Sequence, residues 1–188
     1  MKIKLKKGLN LSIAGALADN AEIVGSQSGA FAVCPDDFPG LLAKTAVREG
    51  DAVAAGSALL FDKQNPEVKV VSPVVGRVKA VVRGERRKII RIEVEAEGPQ
   101  LCKPSDEESA KRFLAESGML ALMRQRPYDI VPNPDDSVRD IFITAFDSAP
   151  LAPSFAVFSC LFDKADYAAG IAVLRKISRG KVYLSHSP

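Results

Sequence analysis

The chain has 188 residues, 47% of them hydrophobic and 26% charged, and a formal net charge of +3 at pH 7. That length can bury a core and hold more than one folding unit, while the small net charge, with no zinc-finger spacing and no aromatic–basic interleaving, argues against nucleic acid as a partner. Cys34, Cys102 and Cys160 lack C-x-x-C spacing, which argues against a disulfide framework and an iron–sulfur site and fits a reducing compartment.

The opening residues, M-K-I-K-L-K-K, alternate charged and apolar side chains. They predict a strand with one basic face ending at Gly8, and they lack the apolar run of a signal peptide. No stretch reaches the length of a membrane-spanning helix, so the chain is expected to be soluble or held at a membrane by a partner. A loop follows over residues 9–15. Residues 29–33 read as a strand stopped by Pro35. The paired acids Asp36 and Asp37 beside that proline are turn chemistry, and without a histidine nearby they do not suggest a metal site.

Residues 47–82 organise the chain. Two short β patterns, 58–62 and 67–72, flank a Lys63-Gln64-Asn65-Pro66 hairpin. A Glu49-Gly50-Asp51 turn precedes the first and a Ser72-Pro73-x-x-Gly76 turn follows the second, while Val47, Val53, Leu59, Val68, Val70 and Val78 give the strands an apolar side. A charged turn, R-G-E-R-R-K at 83–88, leads into Ile90, Ile92 and Val94, a strand with Arg91, Glu93 and Glu95 outside. That basic turn is either solvated or a contact for an acidic partner or anionic headgroups. Gly98-Pro99 closes this region.

Ser105 to Glu108 has the form of a capping box, predicting a helix to about Glu116 that Ser117-Gly118 stops. Residues 119–123 begin a second short helix, ended by Pro127, and residues 131–136 form an extended linker. Residues 141–146 are an apolar run of strand length. After Asp163, Tyr167, Ile171, Leu174 and Ile177 share one helix face, which stops at Gly180 before a strand at 182–184. Strand, helix, strand begins a parallel α/β sheet. A parallel strand with one neighbour cannot bury both faces, so this unit is expected to be truncated at Pro188. The predicted organisation is an α+β multidomain chain: a β domain over 1–100, a helical connector over 101–135, and the start of a Rossmann-like α/β domain over 136–188. Lone His186 has no serine or cysteine constellation to make it a catalytic base, and no catalytic or metal-ligating set is expected.

The order E-G-D-A-V-A-A-G, hairpin, S-P-V-V-G-R-V resembles the biotinyl/lipoyl-carrier type of barrel-sandwich hybrid. In such carriers the hairpin tip presents an acylated lysine. The corresponding place here is Asn65, next to Pro66, with Lys63 and Lys69 on either side, so no covalently bound cofactor is expected. Longer stretches, I-K-L-K-K-G-L-N-L-S-I-A-G-A from Ile3, F-D-K-Q-N-P-E-V-K-V-V-S-P from Phe61, R-Q-R-P-Y from Arg124 and I-F-I-T-A-F-D-S-A-P-L-A-P from Ile141, resemble the A subunits of bacterial sodium-translocating NADH:quinone oxidoreductases.

The resemblance implies a peripheral subunit on the cytoplasmic side of the bacterial inner membrane. Its partners would be the other members of a six-subunit complex that oxidises NADH, reduces ubiquinone and exports sodium, with membrane contact through those partners. It implies a structural and quinone-binding role, with NADH and flavin handled by other subunits. Related flavin-bearing subunits of complex I and of the Rnf complex carry a glycine-rich loop where this chain reads Ser117-Gly118-Met119-Leu120-Ala121-Leu122-Met123-Arg124. Without the later glycines, a flavin phosphate cradle is not expected. The alternatives are a flavin/NADH-binding oxidoreductase domain or a lipoyl/biotin-type carrier. Ligands of open α/β sheets collect at the carboxyl ends of strands, which makes Thr144, Phe146, Asp147 and Ser148 the candidate quinone-facing loop, unless Asp147 only caps its turn.

Overall fold

The computed structural model describes residues 29–98, 109–145 and 164–186. Seven strands build the first unit: β1 (Ala30–Val33), β2 (Ala43–Thr45), β3 (Ala52–Val53), β4 (Ala58–Asp62), β5 (Lys69–Val71), β6 (Val75–Arg83) and β7 (Ile89–Gly98). They form two antiparallel sheets, ordered β1-β7-β6-β3 and β2-β4-β5. The apolar residues of both meet in one core of Val53, Leu59, Leu60, Val70, Val78, Ile89, Ile92 and Val94. This is the barrel-sandwich architecture that the resemblance to carrier domains implies. Each of the larger side chains contributes about 1.5–3 kcal/mol by leaving water.

Two irregularities depart from simple alternation. Leu59 and Leu60 are consecutive yet both fully buried, and the β4–β5 register shifts between Ala58 and Leu60, which is how a bulge re-aims a side chain. Ile90, expected inside with Ile92 and Val94, is 43% exposed, and Ile89 is buried instead. The cause is a register shift between Val82 and Arg83 at the end of the β6–β7 ladder. The Arg83–Lys88 turn contains a short 3-10 segment, Glu85–Arg87, and Asp36 and Asp37 sit in another, Pro35–Asp37. The expected opening strand at residues 2–7 lies outside the described residues.

The second unit holds α1 (Ala110–Glu116), a 3-10 turn Leu120–Leu122, β8 (Ile141–Ala145), α2 (Lys164–Ile177) and β9 (Val182–His186). The Ser105–Glu108 box lies outside the described residues, and the described helix α1 begins at Ala110. Ser109 holds the cap position with extended φ −92° and ψ 115°, so the helical path begins after it. Residues 119–123 contain the 3-10 turn instead of an α-helix. Strands β8 and β9 are parallel neighbours, Ile141 opposite Val182, and α2 joins them as the periodicity implies. The core here is Val68, Leu114, Ala115, Leu120 and Ile177.

The two cores exchange residues. Val68, from the β4–β5 hairpin, is buried with the helices of the second unit, not in the sandwich where its place in a β pattern put it. Ala121, from the 3-10 turn, is buried in the sandwich core.

Candidate functional site

The hairpin tip is the natural place to test for a carrier function, and here it is built as a fixed structure. Asp62, only 6% exposed, accepts N–H bonds from Leu42 at 3.0 Å, Gln64 at 3.3 Å and Asn65 at 3.2 Å, and a fourth from the Asn65 side-chain amide at 3.3 Å. These bonds satisfy a buried carboxylate without a cation. They also hold Asn65, half-buried, where a carrier would display its lysine. Lys63 is exposed and Lys69 half-buried, one on each side of the turn.

A cavity of about 320 Å³ opens beside this tip, between the hairpin and residues 125–136. Its apolar wall is Leu41, Ile130, Val131 and Pro132; its polar lining includes Gln64, Gln125, Tyr128, Asn133, Asp62 and Asp136. Local turns hold these groups. Gln125 and Ile130 form an isolated antiparallel bridge, with the Gln125 N–H donating to the Ile130 carbonyl at 2.7 Å. The Val131 N–H donates to the Pro39 carbonyl at 2.8 Å, seating the segment on the sandwich. Gly40, at φ +85°, allows this approach, because a Cβ there would stand 2.9 Å from the Ile130 Cβ. Asn133 Oδ1 accepts the Asp135 N–H at 3.0 Å, leaving its amide hydrogens to donate, and Gln125 Nε2 donates to Asp136 Oδ2 at 3.4 Å. The lining carries two carboxylates and no cation, so it disfavours phosphates and suits a neutral ligand that accepts hydrogen bonds.

Arg124 joins the two units. Its Nη1 donates to the carbonyls of Ala121 at 3.0 Å and Met123 at 2.9 Å, and its Nη2 to the Asp37 carbonyl at 2.9 Å. Neither this clasp nor the cavity follows from periodicity, since their residues come from segments far apart in the chain. The available signal was the R-Q-R-P-Y stretch, which holds Arg124, Gln125 and Tyr128.

The turn that occupies the place of the relatives' glycine-rich loop is packed against protein. Gly118 has φ +79°, and a Cβ on it would meet Val71 at 3.0 Å and the Lys69 carbonyl at 3.5 Å. Leu120 and Ala121 are buried just beyond it. The Gly118 backbone thus faces the β4–β5 hairpin, while Met119 and Leu122 on either side of the buried pair are exposed.

Of the four residues proposed for the quinone-facing loop, Thr144 is exposed on β8, on the face that carries Phe142. Phe142 stacks on Tyr183 of β9 at 4.9 Å between centroids. Phe146, Asp147 and Ser148 lie outside the described residues. Among the described residues no group of histidine, cysteine, aspartate and glutamate is arranged to hold a metal ion, and no helix is long and apolar enough to cross a membrane.

A barrel-sandwich β domain whose hairpin is built into a following α/β unit defines the class of this chain. Residues 3–97 match the NqrA N-terminal barrel-sandwich hybrid domain and residues 105–188 the NqrA second alpha/beta domain, so the chain belongs to the NqrA family. It is 36% identical over 195 residues to the A subunit of the Na(+)-translocating NADH-quinone reductase of Photorhabdus laumondii, an alignment covering 98% of this chain and 43% of that protein. The protein of the same name from Hahella chejuensis is 38% identical over 192 residues, covering 97% of this chain and 42% of the relative. For Pseudomonas aeruginosa the values are 34% over 187 residues, 94% and 42%. The chain thus spans less than half the length of these curated relatives.

Proposed function

We propose that the chain serves in a sodium-translocating NADH:quinone reductase as its NqrA component, a structural and quinone-binding part without its own flavin. In this reading it sits on the cytoplasmic side of the inner membrane, held by the other members of a six-subunit assembly, while NADH oxidation, the flavins and the sodium path belong to those partners. Family membership supports the assembly.

The observation that carries the quinone role is the cavity at the hairpin tip. A quinone has two carbonyl acceptors on a flat apolar ring, so it needs donors beside an apolar wall. Gln64, Asn133 and Tyr128 supply donors, and Leu41, Ile130 and Pro132 supply the wall. The loop at Thr144, Phe146, Asp147 and Ser148 is the second candidate edge. The carrier alternative is opposed by Asn65 at a tip fixed through Asp62, and the flavin alternative by the packed Gly118 turn.

The experiment is binding of a short-chain ubiquinone to the complex containing this protein, with two variant pairs. Asn133→Leu with Gln64→Leu should weaken binding about tenfold or more, from the loss of two donors. Phe146→Ala with Ser148→Ala should have the smaller effect. Parent-like binding in both pairs, with the complex intact, would remove quinone binding from this component.

A further inference from the structure

We propose that the β6–β7 turn is a docking tip for an anionic lipid surface. The inference rests on the membrane-complex reading above and adds a contact that the chain itself makes. Residues 83–91 carry five basic side chains, Arg83, Arg86, Arg87, Lys88 and Arg91, against one acid, Glu85. All six are exposed.

Among the described residues, β1 pairs with β7 from Ile92 to Glu95 and β3 pairs with β6 at Gly76 and Arg77, so the Arg83–Lys88 turn lies past both ladders, with Ile89 anchoring it in the sandwich core and Asp36 beside Lys88. A short turn with exposed side chains meets a flat surface readily, whereas a peptide needs a groove. The hairpin is also polarised, because its acids Glu93, Glu95 and Glu97 follow on β7, away from the turn.

Two of the cations are already engaged: Lys88 with Asp36 at 2.8 Å and Arg91 with Glu93 at 2.6 Å. Arg83 donates to the Arg87 carbonyl at 3.3 Å. The Arg86 and Arg87 guanidinium groups make no ion pair among the described residues. Both residues also hold left-handed backbone, φ 53° and 61°, an unfavourable conformation for two consecutive long side chains. Glycine would relieve that strain, so arginine at both positions costs stability while presenting two planar donor forks suited to phosphate oxygens. Ile90, 43% exposed beside them, supplies an apolar side chain at headgroup depth.

The test is co-sedimentation of the purified chain with vesicles of phosphatidylcholine alone or mixed with phosphatidylglycerol. Binding should require the anionic lipid and fade with added salt. Arg86→Gly/Arg87→Gly, which suits the backbone and should fold at least as well as the parent, should weaken binding about twenty-five-fold, or about fivefold per charge removed. Arg86→Lys/Arg87→Lys should keep most of it, and Lys44→Ser/Lys63→Ser, on the other sheet, should bind nearly as the parent does. The proposal is overturned if the chain does not prefer anionic vesicles, or if the glycine variant binds as the parent. Equal losses in the Lys44/Lys63 variant would overturn it in favour of bulk charge. Release by inorganic phosphate beyond that by chloride at equal ionic strength would point to a discrete anion site instead, and capture by immobilised polyglutamate but not by vesicles would point to an acidic protein. Co-purification with partner subunits is read separately and needs no vesicles, so failure of the lipid contact is distinguishable from failure of the assembly reading.

Discussion

Asp62 binds Asn65 twice through one oxygen, accepting its backbone N–H at 3.2 Å and its side-chain N–H at 3.3 Å. The Leu42 N–H reaches the other oxygen at 3.0 Å, so one buried carboxylate fixes both the hairpin and the chain entering β2. Asp62→Ala should therefore cost about 3 kcal/mol, because it leaves several donors without their acceptor. Urea titration of parent and variant measures this. A loss within experimental error would show that the hairpin is held by other contacts.

The same lock bears on acylation. Asn65→Lys places an amine at the carrier position, yet a ligase must engage a free turn, and this one is tied to Asp62 and packed against the second unit. Co-expression with a lipoate or biotin ligase should leave the intact mass of the parent unchanged at Lys63 and Lys69. Asn65→Lys should also stay unmodified. A lipoyl or biotinyl mass on the parent would overturn the structural reading of the hairpin.

Much of the first unit is legible from local pattern. Strand β4 has the predicted limits and β1 lies within the predicted run, because both are short, largely apolar runs bounded by turn residues. Ile90 escapes alternation because a register shift, which depends on the partner strand, decides which of two adjacent isoleucines is buried. Val68 and Ala121 are unreadable for a related reason: apolar character predicts burial but not which core receives the side chain. The cavity needs segments around residues 40, 64 and 130 to be brought together, and the Arg124 clasp depends on backbone carbonyls that any sequence would have.

Asp140 ties the start of β8 to β9. Its carboxylate is held below the ordinary aspartate range first by the Lys181 backbone N–H at 2.9 Å and also by the Arg139 guanidinium at 2.9 Å, while desolvation acts the other way. A carboxylate whose folded pKa is depressed contributes stability above its unfolded value, about 3.9, and loses that contribution as pH falls through the folded value. Asp140→Asn should be less stable than the parent at pH 7, and the gap should close as pH falls below about 4. A gap that is constant with pH, measured by urea midpoints, would show that charge at this position is not what matters.

Gly40 controls the cavity wall. At φ +85°, with Ile130 2.9 Å from where a Cβ would stand, Gly40→Ala combines backbone strain with a clash and should cost about 2 kcal/mol or more. Displacing Ile130 should also weaken ubiquinone binding if the cavity is the site. Gly50→Ala is the control: its φ is similar, +88°, but no atom lies within 4 Å of the added methyl, so it carries the strain alone. Equal effects of the two substitutions on binding would separate the ligand from the Ile130 wall.

The exchange of Val68 and Ala121 between cores makes a prediction about cooperativity. Val68 is 1% exposed among Leu114, Ala115, Leu120 and Ile177, while Ala121 is fully buried against the sandwich. Opening the helical unit must withdraw Ala121 from the first core and uncover Val68 on the hairpin, so neither unit can unfold without exposing part of the other. Val68→Ala should cost about 2 kcal/mol from the lost methyl groups and the cavity left behind. If the units were independent, that loss would appear only where Val68 packs, in α1 and α2. If they are coupled, amide exchange should accelerate both at Leu174 in α2 and at Val78 in β6, which has no place in the second core. Ala121→Leu tests the reverse direction, since extra volume in the sandwich core should cost about 1–3 kcal/mol and loosen α1 as well. Native-state hydrogen exchange on both variants reads the two sites together. Faster exchange confined to the unit that receives the altered side chain would mean that the cores touch without being coupled.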